Sequence, residues 1–300
     1  MKDRSKKQQI HGNYKSLPYA FVLPGMILFV LIVVLPVIQT FVLSLTDWDG
    51  ISPLNLHSFV GFSNYTQAFT TPQLLTGLKN NILFAIVGVS IPIILGLAQA
   101  SVIVNSKIKF KNLFQIILFL PQLLSSIVMS IMWLAIYDPV NGVLNNLLKM
   151  LGLGKMAVPW LGLSSTAIYA ILIIGVWGGC GFNTLIYCSA IRAVDPAMFE
   201  AATIDGAGSL QKFWWITIPT IRKTTTTLLL FSLIGAFNQF DLVYQMTQGG
   251  PGYSTYVISY DIYESAFVGN RVGFACAVAI ILAGLIFLVS RVFLHFREDE

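Results

Sequence analysis

Charge is the scarcest thing in this sequence. Only 13 acidic and 18 basic side chains occur in 300 residues, which makes 10% of the chain charged, against roughly 25% in an average soluble domain. Histidine is nearly missing: His11, His57 and His295 lie outside the long apolar runs or at their ends. No H-E-x-x-H pair, paired histidines or Cys/His spacing occurs, so no metal site is expected. The three cysteines, Cys180, Cys188 and Cys276, all fall inside apolar runs. An odd number of thiols so placed reads as small packing residues, not as disulfides. A phosphate-cradling loop is missing too: Gly152-Leu153-Gly154-Lys155 lacks both the spacing and the hydroxyl of G-x-x-x-x-G-K-[ST]. The chain is therefore not expected to bind or hydrolyse ATP.

What is abundant is hydrocarbon: 56% of the residues are hydrophobic, and they come in blocks. Six blocks reach the roughly 20 residues that cross a bilayer core as a helix: 17–45, 78–104, 113–137, 167–190, 224–246 and 272–294. Lipid-facing backbone must satisfy its own hydrogen bonds, and long uniform runs do not match the alternation of a barrel. The first run is too long for a signal peptide and no A-x-A cleavage pattern follows it, so it reads as an uncleaved span. Pro24, Pro36 and Pro92 fall inside spans and are expected to kink them.

The net charge of +5 sits between the spans and is no nucleic-acid signal. One face of the membrane receives Lys2, Arg4, Lys6, Lys7, Lys15, Lys107, Lys109, Lys111, Arg192, Lys212, Arg222, Lys223, Arg291 and Arg297. The other receives Lys79, Lys149, Lys155 and Arg271. The positive-inside rule then places both termini in the cytoplasm. The expected organisation is an N-terminal arm over 1–16, one membrane domain over 17–296 and a tail over 297–300.

Among the outer connections, 46–77 reads as a loop with one short helix. Residues 141–148 read as an amphipathic helix at the outer surface, and Trp133 and Trp160 suit interfacial positions. Gly249-Gly250-Pro251 ends the fifth span in a sharp turn.

On the cytoplasmic side, 195–219 is polar and helix-prone. Asp195 can cap a helix that starts at Pro196. Gly206 and Gly208 end it, Ser209 can cap a second piece, and Pro219 closes that piece. Within the spans, Asn183 and Tyr187 of the fourth and Asn238, Gln239 and Asp241 of the fifth are polar groups in lipid. Such groups face the bundle or a wet cavity. Gly175, Gly178, Gly179 and Gly181 either let helices approach closely or leave room for a ligand. Interhelical hydrogen bonding and ligand binding both remain open for Gln239.

The order Glu200-Ala201-Ala202, then Asp205-Gly206-Ala207, an aromatic cluster and Ile218-Pro219 resembles the "EAA" loop of permease subunits in binding-protein-dependent ABC importers. Phe240-Asp241, Met246-Thr247-Gln248-Gly249-Gly250-Pro251 and Ser254-Thr255 resemble the end of the fifth span in sugar permeases. Leu120-Pro121, Trp133, Asp138-Pro139, Gly142, Asn145 and Leu148 fit the same branch, that of the larger maltose permease and a glycerol-3-phosphate permease.

This resemblance covers essentially the whole chain. It implies an all-α integral membrane protein with six transmembrane helices, of the type I ABC importer permease fold with a cytoplasmic coupling helix, in a bacterial inner membrane. It implies four kinds of partner: a second homologous permease, two ATPase subunits carrying ATP and Mg, an extracytoplasmic sugar-binding protein and a carbohydrate substrate. Glu200, Ala201, Ala202, Asp205, Gly206 and Ala207 would dock the ATPase. Carried over position by position, sugar contacts point to Gly175, Gly179 and Phe182, and to Ala236 and Gln239; Asn183, Asn238 and Asp241 join them as polar groups on the path. Gly175 and Ala236 stand where the maltose permease has amides, and the extra N-terminal helices and large outer domain of that protein are missing. The rival is a stand-alone secondary transporter or channel. It would need a buried coupling site at mid-membrane, and Asp241 is the only clear acidic candidate in the spans.

Overall fold

The computed structural model describes residues 17–55, 58–105 and 109–298. The arm expected over 1–16, His11, His57, Lys107 and the last two residues of the expected tail lie outside them. Fifteen α-helices make up the described chain, and no strand occurs among the described residues.

Three spans form near the expected boundaries. The first runs as α1, Leu17–Phe29, and α2, Leu35–Ser44, joined without a break by a π-turn over Val30–Val34. The fourth is α8, Ala167–Arg192, and the last is α15, Val272–Glu298. Helix α3, Ser63–Thr70, is the short helix of the first outer connection. The second span, α4 over Pro72–Asn105, starts six residues before the expected 78, because Pro72 is tolerated in a first turn. Helix α7, Val143–Met150, forms the amphipathic piece. Its Asn145 is buried, donating to Pro139 O and Val158 O and accepting from Trp160 Nε1 at 2.8 Å.

Among the described residues four helices are long and apolar enough to cross a membrane, or five if one bent pair is counted as a span, against the six expected. The third span is a bent pair, α5 over Lys111–Phe119 with a 3-10 turn over Leu120–Leu123, then α6 over Ser126–Ile136, turning through 97°. Pro121 removes a backbone donor at the corner. Leu124 and Ser125 are extended, and the Ser125 side chain caps α6.

The fifth span is broken as well. Helix α12, Arg222–Phe237, stops at Asn238, and α13, Asp241–Met246, resumes after Phe240. At 1.5 Å per residue the 16 residues of α12 reach about 24 Å, short of a core of roughly 30 Å.

Breaking a helix inside a membrane frees carbonyls that lipid cannot satisfy. Here Asn81 of α4 satisfies them. Its Nδ2 donates to Ala236 O at 3.0 Å and Phe237 O at 3.2 Å. Its Oδ1 accepts from the first N–H of α14, Ile258–Tyr263, at 3.0 Å. Asn81 itself is fully buried.

Helices α4 and α8 form the spine. Asn183 packs so closely on Gly96 that a β-carbon there would sit 2.6 Å from Asn183 Cβ. One turn on, Thr184 Oγ1 donates to Gln99 Oε1 at 2.7 Å. The first span packs its second half, α2, against α15, while in its most apolar window, within Phe21–Ser44, no residue is buried inside this chain.

A candidate transport cavity and its docking loop

Both breaks open onto the same space. A cavity of 460 Å³ lies between α4, α6, α8 and α12, and Gln122, Leu124 and Ser126 line it from the first break. Asn238, Gln239, Phe240 and Asp241 line it from the second. Ser126 Oγ donates to Asp241 Oδ2 at 2.9 Å, so the two broken spans are joined by a hydrogen bond at the cavity wall. The volume lies within the range of small-ligand sites, roughly 300–1,000 Å³.

Six of the seven residues expected on the substrate path line this cavity: Gly175, Gly179, Asn183, Asn238, Gln239 and Asp241. Ala236 joins them. Phe182 is not among the lining residues and is 41% exposed.

The glycines of α8 divide by role. Nothing lies within 4 Å of a β-carbon built on Gly175, so its missing side chain is cavity space. A β-carbon on Gly181 would sit 2.0 Å from Leu118 O, so there the gap is filled by the backbone of α5.

The polar groups also divide. Asn183 Nδ2 donates to Gly179 O at 3.1 Å, while its buried Oδ1 has no protein partner. Asn238 Nδ2 turns back to Ile234 O at 3.1 Å. Tyr187 is buried packing, its hydroxyl 3.2 Å from Thr225 Oγ1 of α12. The wall thus offers amides and hydroxyls over apolar rings, which suits a ligand carrying many hydroxyl groups on a carbon frame.

Gln122, Ser126 and the remote clamp Asn81 were missed in the sequence reading. Their signal was the one used for Asn183: a polar residue inside an apolar run.

The loop between α8 and α12 folds close to expectation. Helix α9, Pro196–Ile204, starts on Asp195, whose Oδ1 accepts from Ala197 N at 2.9 Å. Gly206 turns the chain at φ +80°, a region that glycine enters without steric cost. Two details differ. The cap of α10, Ser209–Lys212, is Gly208 rather than Ser209: its N–H donates to Gln211 Oε1 at 2.8 Å. Pro219 does not close the second piece, which runs through a π-turn over Phe213–Thr217 into α11, Ile218–Thr220. Pro219 sits in the first turn of α11, where its missing N–H costs little.

Ala202, Asp205, Gly206 and Ala207 line one side of a 270 Å³ hollow, faced by Gln211, Lys212 and Trp215. Glu200 and Ala201 lie outside it, exposed on α9. Around the hollow, Ile204, Leu210 and Trp215 are 87%, 71% and 81% exposed. Large apolar side chains gathered at one exposed place mark an interaction surface.

Residues 88–298, which hold the cavity-lining stretches of α8 and α12 and the whole docking loop, match the family model described as "Binding-protein-dependent transport system inner membrane component". The chain belongs to that family. This membrane component is 34% identical to the probable ABC transporter permease protein YurN of Bacillus subtilis, over 89% of this chain and 91% of that protein. It is 34% identical to the diacetylchitobiose uptake system permease protein NgcF of Streptomyces coelicolor, over 96% of this chain and 86% of that one. Its fold matches a chain of a bacterial ABC transporter involved in the import of the acidic polysaccharide alginate, with a TM-score of 0.81, 26% identity and 96% of each chain covered. The permease fold expected from the resemblance is thus found, with two of its spans broken.

Proposed function

We propose that this chain is the permease subunit of an ATP-driven importer that takes a carbohydrate from an extracytoplasmic binding protein and releases it into the cytoplasm. The observation that carries the reading is the convergence of two broken spans on one amide-lined cavity, with an exposed apolar loop on the same two helices. Sites near mid-membrane built on discontinuous helices are a recurrent arrangement in transporters. The sugars named for the relatives give the substrate class.

Energy enters through separate ATPase subunits, which hold ATP and Mg. Glu200, Ala201, Ala202, Asp205, Gly206 and Ala207 form their docking surface. A second homologous permease completes the translocation path, which supports a role for the first span: its most apolar window, within Phe21–Ser44, has no residue buried inside this chain. The distribution of lysine and arginine puts the docking loop, the arm over 1–16 and the tail over 297–300 in the cytoplasm. Closure of the ATPase pair drives the cavity outward only insofar as ATP favours that state over the inward one.

The test is co-purification of the ATPase with the tagged chain, comparing wild type with Glu200→Lys in one host. Retention by wild type and loss in the variant supports the reading. A wild-type chain that transports in vesicles with no ATPase attached refutes it and favours a secondary carrier. Equal retention by both keeps the assembly and removes Glu200 from the contact.

A further inference from the structure

From the charges that line the cavity we propose that the carbohydrate it accepts is uncharged, and that Asp241 excludes sugars bearing carboxylate, phosphate or sulfate groups. The inference rests on the carbohydrate reading above.

The cavity wall contains no lysine, arginine or histidine, and one acid, Asp241. Asp241 is exposed and lines the cavity, and among the described residues its only side-chain hydrogen bond is the one from Ser126 Oγ. Ser126 is also the first residue of α6. The positive end of that helix dipole, where an anionic ligand group would otherwise be favoured, therefore already faces an anion of the protein.

An acidic sugar entering here would meet a like charge and find no cation of this chain to pair with. Burying an unpaired charge is among the costliest things a binding site can be asked to do. The groups left for the ligand are neutral. Gln122, Ser232 and Gln239 line the cavity with no side-chain hydrogen bond of their own among the described residues, and Asn183 Oδ1 is buried without a partner. Amide and hydroxyl groups can both donate to and accept from sugar hydroxyls. Phe240, stacked on Tyr244, adds an aromatic ring to the lining. This chain thus parts company with its structural relative, which is involved in the import of an acidic polysaccharide.

The experiment measures binding to the purified complex of both permeases and the ATPases, without the binding protein, so that the receptor's own selectivity does not enter. The probes are a panel of neutral hexose and N-acetylhexosamine oligosaccharides, each paired with its uronate counterpart of equal length. At least one neutral probe should bind, with its uronate partner weaker by about tenfold or more, the scale of one unscreened like-charge contact. Asp241→Asn should narrow that gap from the uronate side. Gln239→Lys, which places a cation in the cavity, should narrow it further and guards against failure of the first variant to assemble.

A uronate that binds wild type as well as its neutral partner overturns the proposal while leaving the carbohydrate reading standing. If no probe of either class binds, and none is taken up with ATP when the binding protein is restored, the carbohydrate reading fails and the proposal fails with it.

Discussion

Removing the side chain of Asn81 tests whether the break in the fifth span is held by one residue of the second. Asn81→Ala leaves Ala236 O at the end of α12 without its donor and Ile258 N–H at the start of α14 without its acceptor. Phe237 O is spared, because Ser259 Oγ also donates to it at 3.3 Å. Two orphaned groups at about 1–3 kcal/mol each give a loss of about 2–6 kcal/mol. Hydrogen bonds between membrane helices average only about 0.6 kcal/mol, and three such bonds give about 2 kcal/mol. The two estimates meet at about 2 kcal/mol, which we take as the minimum effect. The assay is detergent-titrated unfolding in mixed micelles, followed by tryptophan fluorescence. Asn81→Asp should be worse than alanine, since it points a carboxylate at two carbonyl oxygens. An alanine variant within about 0.5 kcal/mol of wild type, well under the combined worth of three bonds, or an aspartate variant more stable than the alanine one, would refute the clamp.

Gly181→Ala should abolish a monodisperse peak in size-exclusion chromatography, because the new methyl meets the α5 backbone, whereas Gly175→Ala should leave the peak intact. Asp195→Ala should cost α9 about 1 kcal/mol, read as roughly fivefold faster hydrogen exchange at Ala197 with no change elsewhere. Asp261 lies in the outer connection, where burial raises its pKa above the ordinary carboxylate value, with Tyr256 and Ser265 donating against that shift. A raised acid favours the fold below its unfolded pKa and loses that contribution as pH rises through the folded one. Asp261→Asn should therefore melt higher than wild type at neutral pH, the gap closing as pH falls toward 4; a constant gap would contradict the assignment.

The sequence announced the docking loop almost residue by residue because its signals are local. A capping aspartate, a proline at the first helical position and a glycine at positive φ each act within one turn. The fourth and sixth spans were legible for a related reason: hydropathy and length decide them together. The two breaks were not. An apolar run has the same hydropathy whether it is straight or bent, and Gln122 or Asn238 lowers it only slightly. What permits the fifth break is Asn81, 155 residues away from Ala236 along the chain, and no local pattern carries that pairing. Asn183, Asn238, Gln239 and Asp241 line the cavity because a polar side chain in lipid has few places to go. Phe182, expected from the resemblance alone, has no polar group to tie it to that cavity.

The position of the breaks also bears on how a movement of the loop would reach the cavity under the proposed function. Both helices that leave the loop line the cavity, yet they differ in stiffness. Helix α8 is continuous over 26 residues and pinned along its length to α4 through Gly96 and Gln99. Helix α12 is short, begins at a kink where Ile221 leaves helical geometry, and ends at Asn238 beside Gln239. A rotation of α9 to α11 therefore has a long continuous helix on one side and a shorter rod, packed on α4, on the other. The rod's far end carries residues that line the cavity; two hydrogen bonds donated by Asn81, one it accepts from Ile258 N and one donated by Ser126 join that end and the α13 and α14 segments beyond it to the neighbouring helices. Bonds of about 0.6 kcal/mol each are weak enough to exchange partners during a transport cycle and, together, strong enough to hold one state between cycles. A span continuous through 238–240 would turn as one piece and move the outer turn at 249–251 as far as the cavity. Under the proposed function, the break would confine the motion to the half of the span next to the loop over 195–219.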